Sequence, residues 1–160
     1  MIVCPGSFDP ITSGHLDVVR RAAALFGDVA VAVAHNPAKT YLFPIEQRVD
    51  LARRALAEEG ILGVRVDPVE GLLVDYCEEI GARTIVKGLR GSSDFLGEET
   101  MARMTRHISG IETVFVLADP AFSHVASSYV KEIAIHGRDV RWLVADVVAE
   151  ALAERLGGTL

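Results

Sequence analysis

The fold is decided by the stretch GSFDPITSGH, residues 6–15, which joins a short apolar run to an amphipathic segment. The preceding residues 2–4 have the composition of a buried strand, and from Leu16 onward apolar side chains recur at helical spacing. A glycine- and hydroxyl-rich turn between a strand and a helix presents free backbone N–H groups at the positive end of the helix dipole. Phosphate is the natural ligand of such a junction.

The same alternation of β-rich runs and helical patterns continues along the chain. The strand candidates are residues 2–4, 29–34, 64–66, 84–86 and 113–117. The helical patterns cover residues 16–26, capped by Thr12 or Ser13, and then residues 44–60, 72–80, 93–108, 127–136 and 145–156. Strands joined by helices predict a Rossmann-like α/β fold, in which a doubly wound, parallel five-stranded sheet carries helices on both faces. Such sheets bind ligands beyond the carboxyl ends of their strands.

Length and composition predict one domain over residues 1–160. The formal net charge of -6 argues against a nucleic-acid partner. Two cysteines, Cys4 and Cys77, match no metal or redox spacing, which favours reduced thiols in a cytoplasmic protein. No apolar run approaches the ~18 residues of a membrane span, and a strand that begins almost at Met1 argues against a removable leader.

The first turn supplies two candidate functional residues. The N–H and hydroxyl groups of Ser7 can each bind a phosphate oxygen, and Gly6 lets the backbone approach closely. His15 falls in the first turn of the helix, where the helix dipole disfavours imidazolium and a bound phosphate favours it. The alternative is a capped helix with a solvated histidine. That reading does not account for two glycines, a serine and a histidine within ten residues.

Basic and hydroxyl residues follow other strand candidates. Lys87 and Arg90 flank Gly88 after an apolar strand, where a lysine and an arginine can bind different phosphates. Lys39 lies in a loop, and its position alone fits a solvated lysine equally well. Ser127 and Ser128 precede a helical pattern, so we expect them to act as caps, a role compatible with phosphate binding. The histidines outside the first turn show no zinc-ligand spacing.

Several motifs together resemble those of bacterial phosphopantetheine adenylyltransferases. The segment PGSFDPITSGH resembles the family's amino-terminal signature, with Thr12, Gly14 and His15 in the place of its HxGH motif. The resemblance continues in order along the chain: NPAK at residues 36–39, VKGLR at 86–90, SDF at 93–95, RH at 106–107 and SSYVKE at 127–132.

This resemblance implies reversible transfer of the adenylyl group of ATP to 4'-phosphopantetheine, with Mg²⁺ as cofactor. It implies a homohexamer and coenzyme A as a feedback ligand. His15 would stabilise the transition state together with Lys39 and Arg90. The acceptor would be bound by Ser7, Lys39, Leu73 and Lys87. ATP would be bound by Ser7, Phe8, His15, Gly88, Leu89, Arg90, Glu98, Phe122, Ser123, His124, Val125, Ala126, Ser127 and Ser128.

The sequence departs from the family pattern at a few positions. Leu96-Gly97 replaces an acidic and an aromatic residue, which leaves Glu99 as an alternative to Glu98. Ala126 takes the place of a hydroxyl residue, His124 that of an aromatic or apolar one, and Lys87 that of an arginine.

Two other functions remain open at this point. The acceptor could be another phosphorylated compound, such as nicotinamide mononucleotide or glycerol phosphate, or the chain could be a nucleotide-binding regulator without turnover. The sequence contains no GxGxxG motif, which argues against a nicotinamide-dependent oxidoreductase. It contains no P-loop motif GxxxxGK either.

Overall fold

The computed structural model describes residues 1–157 and contains every strand and helix that the sequence predicts. The strands are β1 (Ile2–Gly6), β2 (Val29–His35), β3 (Arg65–Glu70), β4 (Thr84–Leu89) and β5 (Glu112–Leu117). The helices are α1 (Ser13–Phe26), α2 (Ile45–Glu58), α3 (Leu73–Glu79), α4 (Ser92–Ser109), α5 (Ser127–Ile135) and α6 (Asp146–Leu156). The predicted domain of residues 1–160 extends three residues beyond this described part.

The five strands form one parallel sheet in the order β3-β2-β1-β4-β5, which confirms the predicted fold class. From β1 the chain first winds outward through β2 to β3. It then crosses back and continues through β4 to β5 on the other side. The switch point therefore lies between β1 and β4, which are paired through Val3 and Ile85.

The central strand is covered on both faces, because successive side chains of a strand point to opposite sides. The core consists of two hydrophobic clusters, one on each face of the sheet. The larger cluster contains Ile2 and Cys4 together with side chains of α1, α2 and α6. Val3 belongs to a smaller cluster on the other face, against α3. Helices therefore flank both sides of the sheet, as predicted.

The helical faces follow the predicted periodicity with one exception. In α2, Val49, Ala52 and Leu56 are all buried. In α1, however, Phe26 is 43% exposed although it follows Leu16 and Val19 at the predicted helical spacing. It lies in the last turn before Gly27, and Ala22 is buried one turn earlier.

Within residues 1–157, no helix has the length and the apolar composition needed to cross a membrane.

Candidate active site

Parallel strands place the loops after their carboxyl ends at one edge of the sheet. The turn after β1 carries Ser7, and the loop after β2 carries Lys39. Arg90 follows β4 directly, and the segment after β5 contains Phe122. Residues that are far apart in the sequence thus belong to adjoining loops, as the fold prediction required.

The turn after β1 is shaped by the side chain of Phe8. Its φ of 46° lies in the left-handed region, which costs energy for a residue other than glycine. Phe8 as a residue is only 4% exposed, and its ring meets His15 edge-on, with ring centroids 5.1 Å apart. A Cβ atom on Gly6 would lie 2.8 Å from Cζ of this ring, so the turn requires glycine there. The Phe8 side chain is therefore part of the packing that shapes this turn.

His15 is held by a reciprocal hydrogen-bond pair with Thr12, the N-cap residue of α1. The Thr12 backbone N–H donates to His15 Nδ1 over 3.1 Å, and the His15 N–H donates to Thr12 Oγ1 over 3.4 Å. Because Nδ1 accepts, the neutral ring carries its proton on Nε2. Burial, and secondarily the positive charge of Arg90, lower the pKa of His15 from 6.5 to about 4. His15 is therefore a neutral hydrogen-bond donor at pH 7.

Two basic residues at the carboxyl end of β4, Lys87 within the strand and Arg90 directly after it, are paired with carboxylates from α4. Lys87 Nζ donates to Glu98 over 2.5 Å, and Arg90 Nε donates to Asp94 over 2.9 Å. The hydrogen bond from Arg90 lowers the pKa of Asp94 below its usual value. Helix α4 continues without interruption through Leu96-Gly97, so Glu98 keeps its position near Lys87.

Gly88 lies where β4 and α1 approach closely. A Cβ atom at this position would be 2.6 Å from Val18 Cγ2. The next residue, Leu89, is buried at the end of the strand.

Lys39 is exposed in the loop after β2. The Lys39 N–H donates a hydrogen bond to the Asn36 carbonyl. Leu73 is half-buried at the start of α3 and packs on the smaller cluster.

A hydrogen bond joins the segment after β5 to the turn after β1. The expectation that Ser127 and Ser128 cap α5 was wrong. Ala126 is the N-cap residue of α5 and makes no side-chain cap, whereas Ser127 and Ser128 are the first helical residues. The Ser127 hydroxyl donates instead to the Pro10 carbonyl over 2.9 Å. The serine thus uses its hydroxyl to join α5 to the turn after β1.

The other residues of this segment differ in exposure. Val125 is buried, whereas His124 is exposed and stacks on Trp142 with ring centroids 6.2 Å apart. Ser123 donates its hydroxyl proton to the Pro120 carbonyl over 3.1 Å. Phe122 lies over the start of α1, where a Cβ atom on Gly14 would be 3.5 Å from Phe122 Cβ.

Sequence reasoning missed two buried charged residues at this edge. The Asp9 carboxylate accepts hydrogen bonds from the N–H groups of Leu42 and Phe43 and from Lys131 Nζ of α5. Arg48 is fully buried and donates to the Ser7 carbonyl. One feature of the sequence could have pointed to Arg48. It is a basic residue on the apolar face of α2, four residues before Ala52.

Comparison with known proteins identifies the family. The profile of the Cytidylyltransferase-like family matches residues 3–133. A phosphopantetheine adenylyltransferase of Streptomyces coelicolor is 54% identical over 154 residues, which cover 96% of both chains. A protein of the same name from Bifidobacterium longum is 49% identical over 96% of this chain and 93% of its own. One from Arthrobacter is 50% identical over 96% of this chain and 94% of its own.

In all three comparisons the match covers 96% of this chain and at least 93% of the relative. This chain therefore belongs to the phosphopantetheine adenylyltransferases, within the Cytidylyltransferase-like family.

Proposed function

We infer that this protein transfers the adenylyl group of ATP reversibly to 4'-phosphopantetheine, giving 3'-dephospho-coenzyme A and pyrophosphate in coenzyme A biosynthesis. The observation that carries this inference is the 54% identity to a phosphopantetheine adenylyltransferase over 96% of both chains. In the reaction, a phosphate oxygen of the acceptor forms a bond to the α-phosphorus of ATP. The bond from that phosphorus to the β-phosphate oxygen breaks, and its electron pair leaves with pyrophosphate.

The chemistry requires no general base, because a phosphate nucleophile is already ionised near neutral pH. Positioning of the two phosphates and stabilisation of developing charge must therefore supply the rate. In this proposal the Nε2–H of neutral His15 donates to the α-phosphoryl group in the transition state. Its donor atom is fixed beforehand, since Thr12 occupies Nδ1.

Charged residues would complete the site. Lys39 and Arg90 would neutralise the phosphoryl groups of the two substrates, and Lys87 would bind the acceptor together with Ser7 and Leu73. Arg90 and Lys87 would exchange their carboxylate partners for phosphate oxygens when substrates bind. The backbone of Phe8, Gly88 and Leu89 would contact ATP, as would Glu98 and the segment of residues 122–128.

Mg²⁺ is proposed to accompany ATP. Among residues 1–157, no group of three histidine, cysteine, aspartate or glutamate side chains is arranged to hold a metal ion. Magnesium in nucleotide sites is often held mostly by phosphate oxygens and water, so the proposal needs few protein ligands. When bound, the ion would neutralise charge on the leaving pyrophosphate.

We also propose a cytoplasmic homohexamer with coenzyme A as a feedback ligand. Coenzyme A contains the phosphopantetheine arm of the acceptor and would compete for the same site. The hexamer is supported by the exposed apolar side chains of α4, which include Met101, Met104 and Ile108.

The function is tested by measuring pyrophosphate release with ATP, Mg²⁺ and 4'-phosphopantetheine. Nicotinamide mononucleotide and glycerol 3-phosphate serve as alternative acceptors. We expect His15→Ala to lower kcat by roughly 10²-fold with a smaller effect on KM, because it removes one preorganised donor. His136→Ala, which changes an exposed histidine at the end of α5, is the matched control. An unchanged kcat in His15→Ala would remove this residue from the mechanism, and turnover with another acceptor alone would overturn the proposed function.

A further inference from the structure

Arg48 joins the carboxyl ends of two strands from beneath the site. Its side chain on α2 is fully buried, with 0% of its surface exposed. Nη1 donates to the Ser7 carbonyl over 2.6 Å and to the Ala34 carbonyl over 2.9 Å. One guanidinium thus connects the turn after β1 to Ala34, near the carboxyl end of β2.

Among residues 1–157, no carboxylate forms a salt bridge with Arg48. Arg48 touches two carbonyl oxygens, His35 Nδ1 at 3.4 Å and the ring of Tyr41. Its buried Nε finds no acceptor within the described part of the chain. A buried cation without a counter-ion costs free energy, and an anion bound nearby offsets part of that cost. The substrates of the proposed reaction are such anions.

The hydrogen bond to Ser7 acts on the next residue. The Ser7 carbonyl and the Phe8 N–H belong to the same peptide group, so a cation on the oxygen polarises the N–H bond. No acceptor for this N–H group is found within residues 1–157. The N–H of Phe8 therefore has no partner among the described residues, and the Arg48 cation strengthens it as a donor.

A second contact extends this arrangement to the loop that carries Lys39. The Arg48 guanidinium stacks on the ring of Tyr41, 4.0 Å from its centroid. The Tyr41 hydroxyl in turn accepts a hydrogen bond from the Asn36 N–H over 2.8 Å. Tyr41 thereby links Arg48 to Asn36, at the start of the loop between β2 and α2.

We propose that Arg48 is a positioning residue for adenylyl transfer, which holds the Ser7-Phe8 turn against the Lys39 loop and strengthens the Phe8 N–H as a donor to an ATP phosphate. The proposal rests on the proposed function for the identity of the ligand. Arg48 acts through the backbone of Ser7 and touches neither substrate.

Arg48→Lys and Arg48→Gln test this role. Lysine keeps the charge but loses the planar fork and its stacking, and glutamine loses the charge as well. We expect Arg48→Lys to weaken ATP binding and to lower kcat by roughly 10-fold each, because small misplacements of phosphate-binding groups are costly. Arg48→Gln should lower both the ATP affinity and kcat further than Arg48→Lys does. ATP affinity is measured by calorimetry without the acceptor, and kcat and KM are measured for both substrates.

Arg53→Lys and Arg53→Gln are the matched controls. Arg53 is on the same helix and also donates to a backbone carbonyl, that of Val66, over 2.7 Å. All variants are compared well below their unfolding temperatures. Unchanged ATP affinity and kcat in folded Arg48→Lys would overturn the proposal, as would equal losses in the Arg53 variants.

Tyr41→Leu provides a second test if the Arg48 variants do not fold, since Tyr41 is only half-buried. It removes the stacking partner and the hydroxyl acceptor, and we expect a lower kcat and a higher KM. Wild-type values in this variant would overturn the proposal. If the native chain shows no turnover, the proposed function fails, and the affinity for ATP still decides the role of Arg48.

Discussion

At the scale of single residues, the protonation state of His15 is set by its surroundings. Thr12 supplies a donor to Nδ1, and burial together with Arg90 holds the pKa at about 4. The same residue that closes the N-terminal cap of α1 is therefore a neutral donor in the absence of nucleotide. Structural and proposed catalytic roles coincide because both require a fixed imidazole.

This lowered pKa predicts a loss of stability in acid. Between pH 6.5 and pH 4 the unfolded chain binds a proton at His15 that the folded protein does not bind, so the free energy of unfolding falls as the pH falls. We expect the native chain to lose about 1–2 kcal/mol more than His15→Gln between pH 7 and pH 5. Urea unfolding at the two pH values measures the difference. His136→Gln should keep the native pH dependence, and an equally steep dependence in His15→Gln would contradict the prediction.

At the scale of secondary-structure elements, the site depends on how closely α1 packs on β4. Gly88 permits this approach, because any larger residue would meet Val18 on the helix. The contact brings the start of α1, with His15, toward the end of β4, with Arg90. The electrostatic effect of Arg90 on His15 is a consequence of that packing.

Gly88→Ala should therefore disturb the packing of α1 on β4. We expect it to lower the free energy of unfolding by about 1–3 kcal/mol, as overpacking usually does. The double variant with Val18→Ala should recover most of this loss, because it removes the methyl group 2.6 Å from the new Cβ atom. Denaturant unfolding measures both.

Gly97→Ala is the matched control for this pair. A Cβ atom there meets nothing within 4 Å, and the residue lies inside α4. Alanine should stabilise the helix by up to about 1 kcal/mol. Equal effects of the two substitutions would show that the contact with Val18 is unimportant.

At the scale of the whole molecule, α4 is the helix that the described chain covers least. None of its 18 residues is fully buried. Leu96 is 70% exposed and Met104 is 55% exposed, and Leu117 at the end of β5 is 72% exposed. Large apolar side chains that are exposed in the isolated chain are typical of a subunit interface when they form one patch. They are the physical basis of the proposed hexamer.

Met104→Glu should shift the protein to smaller assemblies, because a charge at an apolar interface is costly to bury. Light scattering after size exclusion measures the mass. Leu62→Glu is the control, since Leu62 is 79% exposed in the loop between α2 and β3. A hexamer that persists in Met104→Glu would place the interface elsewhere, and a monomeric native chain would exclude the hexamer.

Local patterns in the sequence determined which elements form, their order and their parallel arrangement. Apolar periodicity and glycine positions are properties of neighbouring residues, so they can be read without a structure. Motifs also located most of the candidate site. The N-cap of α5 was misjudged, because a serine at a helix start can bond elsewhere, as Ser127 does with Pro10.

Only the tertiary structure decided which of those residues hold one another in place. Asp9 meets Lys131, and Arg48 meets the Ser7 and Ala34 carbonyls, through contacts between segments far apart in the chain. The neutral state of His15 likewise depends on burial and on Arg90. Pairing and desolvation arise from packing between elements, and no local spacing of residue types encodes them. The sequence alone thus determined the turn that is proposed to bind phosphate, and the fold determined what positions it.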